Sequence, residues 1–226
     1  MSRAIRWLAG AVSTFGLVAC GGGSSESASS VGMPGVLTIA GSALKGAALA
    51  GATVTAKCAV GSGSALTAAD GSYTLTLVGA SLPCALKVVG TEGSVFHSVL
   101  PGTADRGSYV VNLTPLTELL VAKVGGTMPE TYFAGFGAAS AVPESAVSEG
   151  NDYLKVALEG VTDLTGVNAV SDTFKVGDAR DRKLDELTAA VAAAGSRLAE
   201  VAARIVANPA SPREVGAPLI RPGKPG

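Results

Sequence analysis

The feature that most constrains this chain is a change of period. Between residues 36 and 113 apolar side chains recur at every second position, and from residue 114 onward at every third or fourth. In ATVTAKC, Ala52, Val54, Ala56 and Cys58 fall on one side. In SYTLTL, Tyr73, Leu75 and Leu77 oppose Ser72, Thr74 and Thr76, and in CALKV, Cys84, Leu86 and Val88 line up. Successive strand residues point to opposite faces, so this alternation specifies half-buried strands of an antiparallel sheet. Seven short strands fit, near 36–43, 52–58, 64–68, 72–78, 84–90, 94–100 and 108–113. That number and spacing suit a β-sandwich. Asp70-Gly71 predicts a hairpin between the third and fourth strands, because glycine supplies the positive φ of a tight turn. The glycine-rich GSGSA at 61–65 lies between two strands and reads as a hairpin loop, not a phosphate cradle.

At Leu113-Thr114-Pro115 the period switches. Thr114 predicts an N-cap, and Pro115 fits the first helical position, where no amide donor is needed. Leu116, Leu119, Leu120 and Val124 then share one helical face, which Gly125-Gly126 ends. Segments 129–136 and 143–161 also read as helices. The clearest helical pattern runs from Arg182 to Val206, with Leu184, Leu187, Val191, Ala194, Leu198, Val201 and Ile205 at three-four spacing. An intermolecular coiled coil is one reading of it. The alanine in that layer favours the other, an intramolecular bundle seam against Tyr153–Leu164. The fold class is therefore α+β: an antiparallel sandwich over 36–113 and a small helical region over 114–207. Residues 208–226 carry five prolines in 19 residues, which predicts a disordered tail without helix.

The stretch GSALKGAALAGATVTAKC followed by TAADGSYTLTL resembles the carboxypeptidase regulatory-like domain, a transthyretin-like (Ig-like) β-sandwich. Gly46, Leu49, Gly51, Ala52, Val54, Thr67, Gly71, Tyr73 and Leu75 match its pattern, over roughly residues 36 to 90. The resemblance implies a fold and a non-catalytic role as an appendage of exported proteins; it implies no activity.

The amino terminus supplies an address. Arg3 and Arg6 precede an uncharged, mostly apolar run, Trp7–Val18. Such a run is long enough for the core of a secretory signal and too short for a bilayer span, which needs roughly 20 residues. Leu17-Val18-Ala19-Cys20 resembles the lipobox of bacterial lipoproteins. In that family the cysteine sulfur receives a diacylglyceryl group, the peptide is cut before it, and the new amino terminus is acylated. Residues 1–19 are thus expected to be a lipoprotein signal peptide, and residues 20–35 a lipidated Cys20 with a flexible linker. Gly21 in place of aspartate after the cysteine implies, by the same resemblance, sorting to the outer membrane. VSDTFKVGDARDRKLDELTAAV and NLTPLTELLVA resemble segments of proteobacterial surface lipoproteins of uncharacterised role.

Loss of Arg3 and Arg6 with the signal takes 17 basic residues to 15 against 18 acidic ones, a net charge of −3. This balance gives no reason to bind nucleic acid. With Cys20 given to lipid, Cys58 and Cys84 remain. In an oxidising compartment such a pair is expected to form one disulfide. CxxC spacing or histidine partners, which redox or metal chemistry would use, do not accompany it. His97 is the one histidine, and VFHSVL places it in a strand, which reads as a structural position.

No G-x-S-x-G, H-E-x-x-H, Walker or dinucleotide fingerprint occurs. Asp178, Asp181, Asp185 and Glu186 are interleaved with basic residues and lack a calcium-loop pattern. They read as an acidic helix start. A carboxylate pair such as Glu118 with Glu130 has no spacing that argues for a glycosidase. No catalytic residue, cofactor or metal ligand is therefore assigned. The expected function is that of a lipid-anchored envelope lipoprotein, held to the membrane by its lipid, with a structural or binding role toward an envelope protein or polysaccharide. An accessory subunit docking through the C-terminal helix is the alternative, and a hydrolase is disfavoured.

Overall fold

A computed structural model describes residues 33 to 220 of the chain. Cys20, the signal segment and the linker up to residue 32 lie outside the described residues, as does the tail beyond residue 220. Seven strands are followed by six helices among the described residues. The strands are β1 (Val36–Ser42), β2 (Thr53–Val60), β3 (Ser62–Leu66), β4 (Ser72–Val78), β5 (Ser81–Val89), β6 (Val95–Leu100) and β7 (Gly107–Val110). They form a three-stranded sheet in the order β4-β1-β7 and a four-stranded sheet in the order β3-β2-β5-β6. All pairings are antiparallel except β1 with β7.

The alternation read from the sequence sets the faces. Leu37, Ile39, Tyr73, Leu75 and Leu77 of the first sheet are buried, as are Val54, Ala56, Leu86 and Val88 of the second, and all belong to one core. The Tyr73 hydroxyl reaches into this core and donates to the Val111 carbonyl at 2.6 Å. Burial pushes its phenol well above the ordinary tyrosine range.

The Asp70-Gly71 expectation needs correction. The tight turn forms, with Gly71 N–H on the Ala68 carbonyl and φ +80° at Gly71. It joins strands of different sheets, however. β3 has already turned back on β2 through Gly61, so that Thr53 faces Leu66, and β4 is free to pair with β1. The segment after Gly61 is correspondingly strand β3, not loop.

The helices are α1 (Pro115–Gly125), α2 (Pro129–Gly135), α3 (Glu144–Ala157), α4 (Ala179–Ala193), α5 (Leu198–Ala207) and α6 (Pro212–Ile220). Thr114 caps α1 as expected. Its hydroxyl accepts from Thr117 N–H at 3.3 Å, and the Thr117 hydroxyl accepts from Thr114 N–H at 2.8 Å. Leu116, Leu119 and Leu120 are fully buried, and α3, α4, α5 and the edge strand β6 all pack against α1.

Two helical expectations are corrected. The pattern over 182–206 is two helices, because Gly195 adopts a left-handed conformation at φ +61° and Ser196 N–H returns to the Val191 carbonyl. That geometry closes a helix end. The seam itself is buried within the chain: Leu184, Leu187, Val201 and Ile205 are all in the core. α1 is the main partner of α5, in place of the Tyr153–Leu164 segment.

The tail is also not free of helix, since α6 forms between Pro212 and Ile220. Pro212 occupies the first position, where a missing N–H costs nothing, and only Pro218 is interior. Burial of Val215 and Leu219 against the bundle offsets that one lost hydrogen bond. Gly216 permits the docking: a Cβ there would stand 1.7 Å from the Ala157 carbonyl oxygen of α3. Gly216→Ala is expected to undock α6 at a cost of roughly 1–3 kcal/mol. A lowered urea midpoint with faster amide exchange confined to 212–220 would be the signature.

A candidate site at the joint of sheet and helices

The second sheet turns two different faces outward and inward. Cys58, Cys84, Leu86 and Val88 point into the sandwich, so Lys57, Lys87 and His97 project from the other face, with Lys87 directly opposite His97 across β5 and β6. Helices α1 and α2 close over this face. Here Lys57, Lys87, His97, Glu118 and Glu130 come together.

His97 is 2 % exposed. Its backbone N–H donates to Glu118 Oε2 at 2.7 Å, and its Nδ1 lies 2.8 Å from the same oxygen. Its Nε2 lies 3.1 Å from Glu130 Oε2. A neutral imidazole offers one N–H; only the doubly protonated ring offers one to each carboxylate. Glu118 comes from α1, and Glu130 from the first turn of α2. Glu130 also accepts from Lys87 Nζ at 2.8 Å. That hydrogen bond, helped by the charges of Lys87 and His97, holds the Glu130 carboxyl below its ordinary range against the opposing effect of partial burial.

Phe133 roofs the group. Its ring centroid is 5.8 Å from that of His97, and Lys57 Nζ sits 4.8 Å above the same ring. Lys57 also donates to the Phe133 and Ala134 carbonyls, both at 3.3 Å. A cation at the C-terminal carbonyls of a helix meets the negative end of its dipole.

Two features limit what this constellation can do chemically. Both ring nitrogens of His97 are engaged, so no lone pair faces solvent as a base. The carboxylates lie on opposite ring nitrogens and do not converge on a point. Among the described residues no group of three or more His, Cys, Asp or Glu is placed to hold a metal ion. The geometry is that of an ionic clasp between sheet and helices.

Cys58 and Cys84 face each other directly in β2 and β5, with sulfurs 1.99 Å apart, both buried. The acids at the start of α4 scatter. Asp178 caps the helix by accepting from Arg180 and Asp181 N–H, each at 2.8 Å. Asp181 turns inward to accept from Gly177 N–H at 2.8 Å. Asp185 approaches Gly46, and Glu186 is exposed. Asn112, the amide of a glycosylation-like triplet, is buried. It bonds Ser42 N–H and the Val170 and Asp172 carbonyls.

A depression of about 700 Å³ opens between β7, α3 and the 164–171 loop, and His97 does not line it. The Asn151 amide on its wall is committed to the Val147 carbonyl and Ala169 N–H.

The partnership of Glu118 and Glu130 through His97 is the arrangement the sequence did not disclose. Its trace is a single polar residue at the outward positions of each of ALKVV and VFHSV, Lys87 and His97, where an open sheet face would accept any polar residue. Comparison with protein-family models, with characterised proteins and with solved structures returned no significant match.

Removing one partner leaves a half-buried charge uncompensated. His97→Ala is therefore expected to cost about 2–4 kcal/mol in chemical denaturation, and Glu118→Gln less, because an amide oxygen still accepts from the His97 backbone N–H. Because the Glu130 carboxyl is lowered in the folded state, its contribution is present above the ordinary glutamate range and is lost as pH falls through the lowered value. Glu130→Gln is expected to flatten the acid limb of a Tm-against-pH profile between roughly pH 5 and pH 3.

Proposed function

We propose that this chain is an exported lipoprotein, anchored to the bacterial outer membrane through acylated Cys20, whose folded part has a non-catalytic structural or binding role in the envelope. The observation that carries the reading is Leu17-Val18-Ala19-Cys20 after a positively charged start and an uncharged, mostly apolar run. Two or more acyl chains suffice for stable anchoring. The buried Cys58–Cys84 bridge supports it, being a feature of proteins that fold in oxidising compartments. We assign the sandwich to the transthyretin-like, carboxypeptidase regulatory-like class. In support, Leu49, Ala52, Val54, Tyr73 and Leu75 of the matching pattern are buried, and Gly46, Gly51 and Gly71 have positive φ.

A non-catalytic role is favoured because the one histidine has both nitrogens engaged by carboxylates. Docking of a partner on the leucine seam is disfavoured, since Leu184, Leu187 and Ile205 are already covered by the chain itself. Intact mass of the protein purified from its native envelope is expected to show diacylglyceryl on Cys20 and no residues before it. Cys20→Ser should move the protein from the membrane fraction to the soluble one. A native protein that retains Met1 with a free Cys20 thiol would overturn this reading.

A further inference from the structure

The two sheets differ in what covers them. Helices α1 and α2 close over the β5-β6 half of the four-stranded sheet, whereas no helix among the described residues packs on the β4-β1-β7 sheet, where Thr74, Thr76, Val78 and Ser108 are exposed. Register makes these neighbours in one field: Thr76 and Ser108 flank Thr38, and Val36 stands opposite Val78. No outward position of the three strands carries a charge, although the chain holds 35 charged residues, 17 basic and 18 acidic. Open sheet faces ordinarily carry charged residues, which also discourage edge pairing.

The route of the chain bears on what faces this field. Residues 21 to 35 separate Cys20 from Val36, the first residue of β1 and the end of the field where Val36 and Val78 are 44 % and 66 % exposed. Fully extended, that length spans at most about 50 Å. An acyl group on Cys20 therefore keeps Val36 within that reach of the bilayer, nearer to the anchor along the chain than any later strand.

Charge decides which side turns inward. With 15 basic against 18 acidic residues after loss of Arg3 and Arg6, the body is net acidic, and the surface potential of anionic lipid repels it. The outward strand positions of the β4-β1-β7 face carry no carboxylate and no ion to desolvate, the carboxylates of Asp70 and Asp105 standing at its two ends. Its hydroxyls can bond headgroup phosphate and carbonyl oxygens, and Val36 and Val78 gain from partial burial. Resting on the lipid-anchored reading above, we propose that the outward face of the β4-β1-β7 sheet is a lipid-facing surface, laid against the headgroups of the membrane that carries the Cys20 anchor.

Tryptophan makes this measurable, because Trp7 is the one tryptophan and lies upstream of Cys20. The full acylated protein would be reconstituted in phosphatidylcholine–phosphatidylglycerol vesicles containing brominated lipid. Thr76→Trp reports from the face, Ser108→Trp repeats the measurement on β7, and Glu186→Trp on α4 is the control. The proposal expects quenching at 76 and 108 to exceed that at 186 by about twofold or more, since contact places the ring at the headgroup boundary. Equal quenching at all three positions, in protein acylated at Cys20 and pelleting with vesicles, would overturn it. So would a concentration-dependent blue shift at 76 without bromine quenching, which would assign the face to a second copy of the chain. Retained Trp7 emission in the wild type, or an intact mass without acyl groups, marks failure of the anchoring reading itself and removes the basis of the proposal with it.

Discussion

One imidazole holds sheet and helices in register. Through its two nitrogens and its backbone N–H, His97 engages a carboxylate from α1 and another from α2, and the second carboxylate returns to the sheet through Lys87. Burying ions costs several kcal/mol each unless geometry and additional hydrogen bonds repay it. Here every ionic group has a partner from a different element, so the arrangement is satisfied in only one docking of helices on sheet. A purely apolar contact would tolerate sliding. The Glu118–His97 pair also addresses a hazard of open sheets: β6 is an edge strand, and the outward N–H at its middle is occupied by the carboxylate of a covering helix.

α1 is able to do this because its sides are specialised. Leu116, Leu119 and Leu120 enter the common core, while Glu118 turns toward the strand edge. The capping arrangement of Thr114 and Thr117 fixes where the helix starts, and so fixes the height at which Glu118 meets His97. Lys123 at the other end stands 4.8 Å over the Tyr153 ring and donates to the Pro209 carbonyl at 2.8 Å, drawing α3 and the entry to α6 onto the same helix. The sandwich and the bundle thus share one apolar interior, and the boundary at residue 114 is a change of secondary structure inside one body.

Much of this was legible from residue patterns, for a physical reason in each case. Strand positions followed from alternation because burial on one face is a local demand, and the α1 cap from Thr114-Pro115 because capping is local too. Cys58 and Cys84 shared the apolar face that the alternation assigned them. What escaped depends on pairings that local signals do not encode. Asp70-Gly71 specifies a turn but not which strand lies beyond it. The regular spacing of Leu184 to Ile205 persists across the break at Gly195, because both helices bury the same side, and so it concealed two elements as one. The prolines of the tail act by position, and a single interior Pro218 is outweighed by Val215 and Leu219. The ties between His97, Glu118 and Glu130 span separations of 21 and 33 residues, and nothing in the intervening sequence announces them.

The parallel pairing of β1 with β7 has a temporal consequence. β2, β3, β5 and β6 assemble largely from neighbours in sequence, so that sheet can form as its residues emerge. β1 is made first yet pairs only with β4, some thirty to forty residues later, and with β7, about seventy later. By loop-closure entropy its rungs are the costly ones to close. During any amino-terminus-first emergence of the chain, its opening strand waits with both hydrogen-bonding edges bare. The high contact order is concentrated in the smaller sheet, and the last rungs to close are those between the two ends of the strand region.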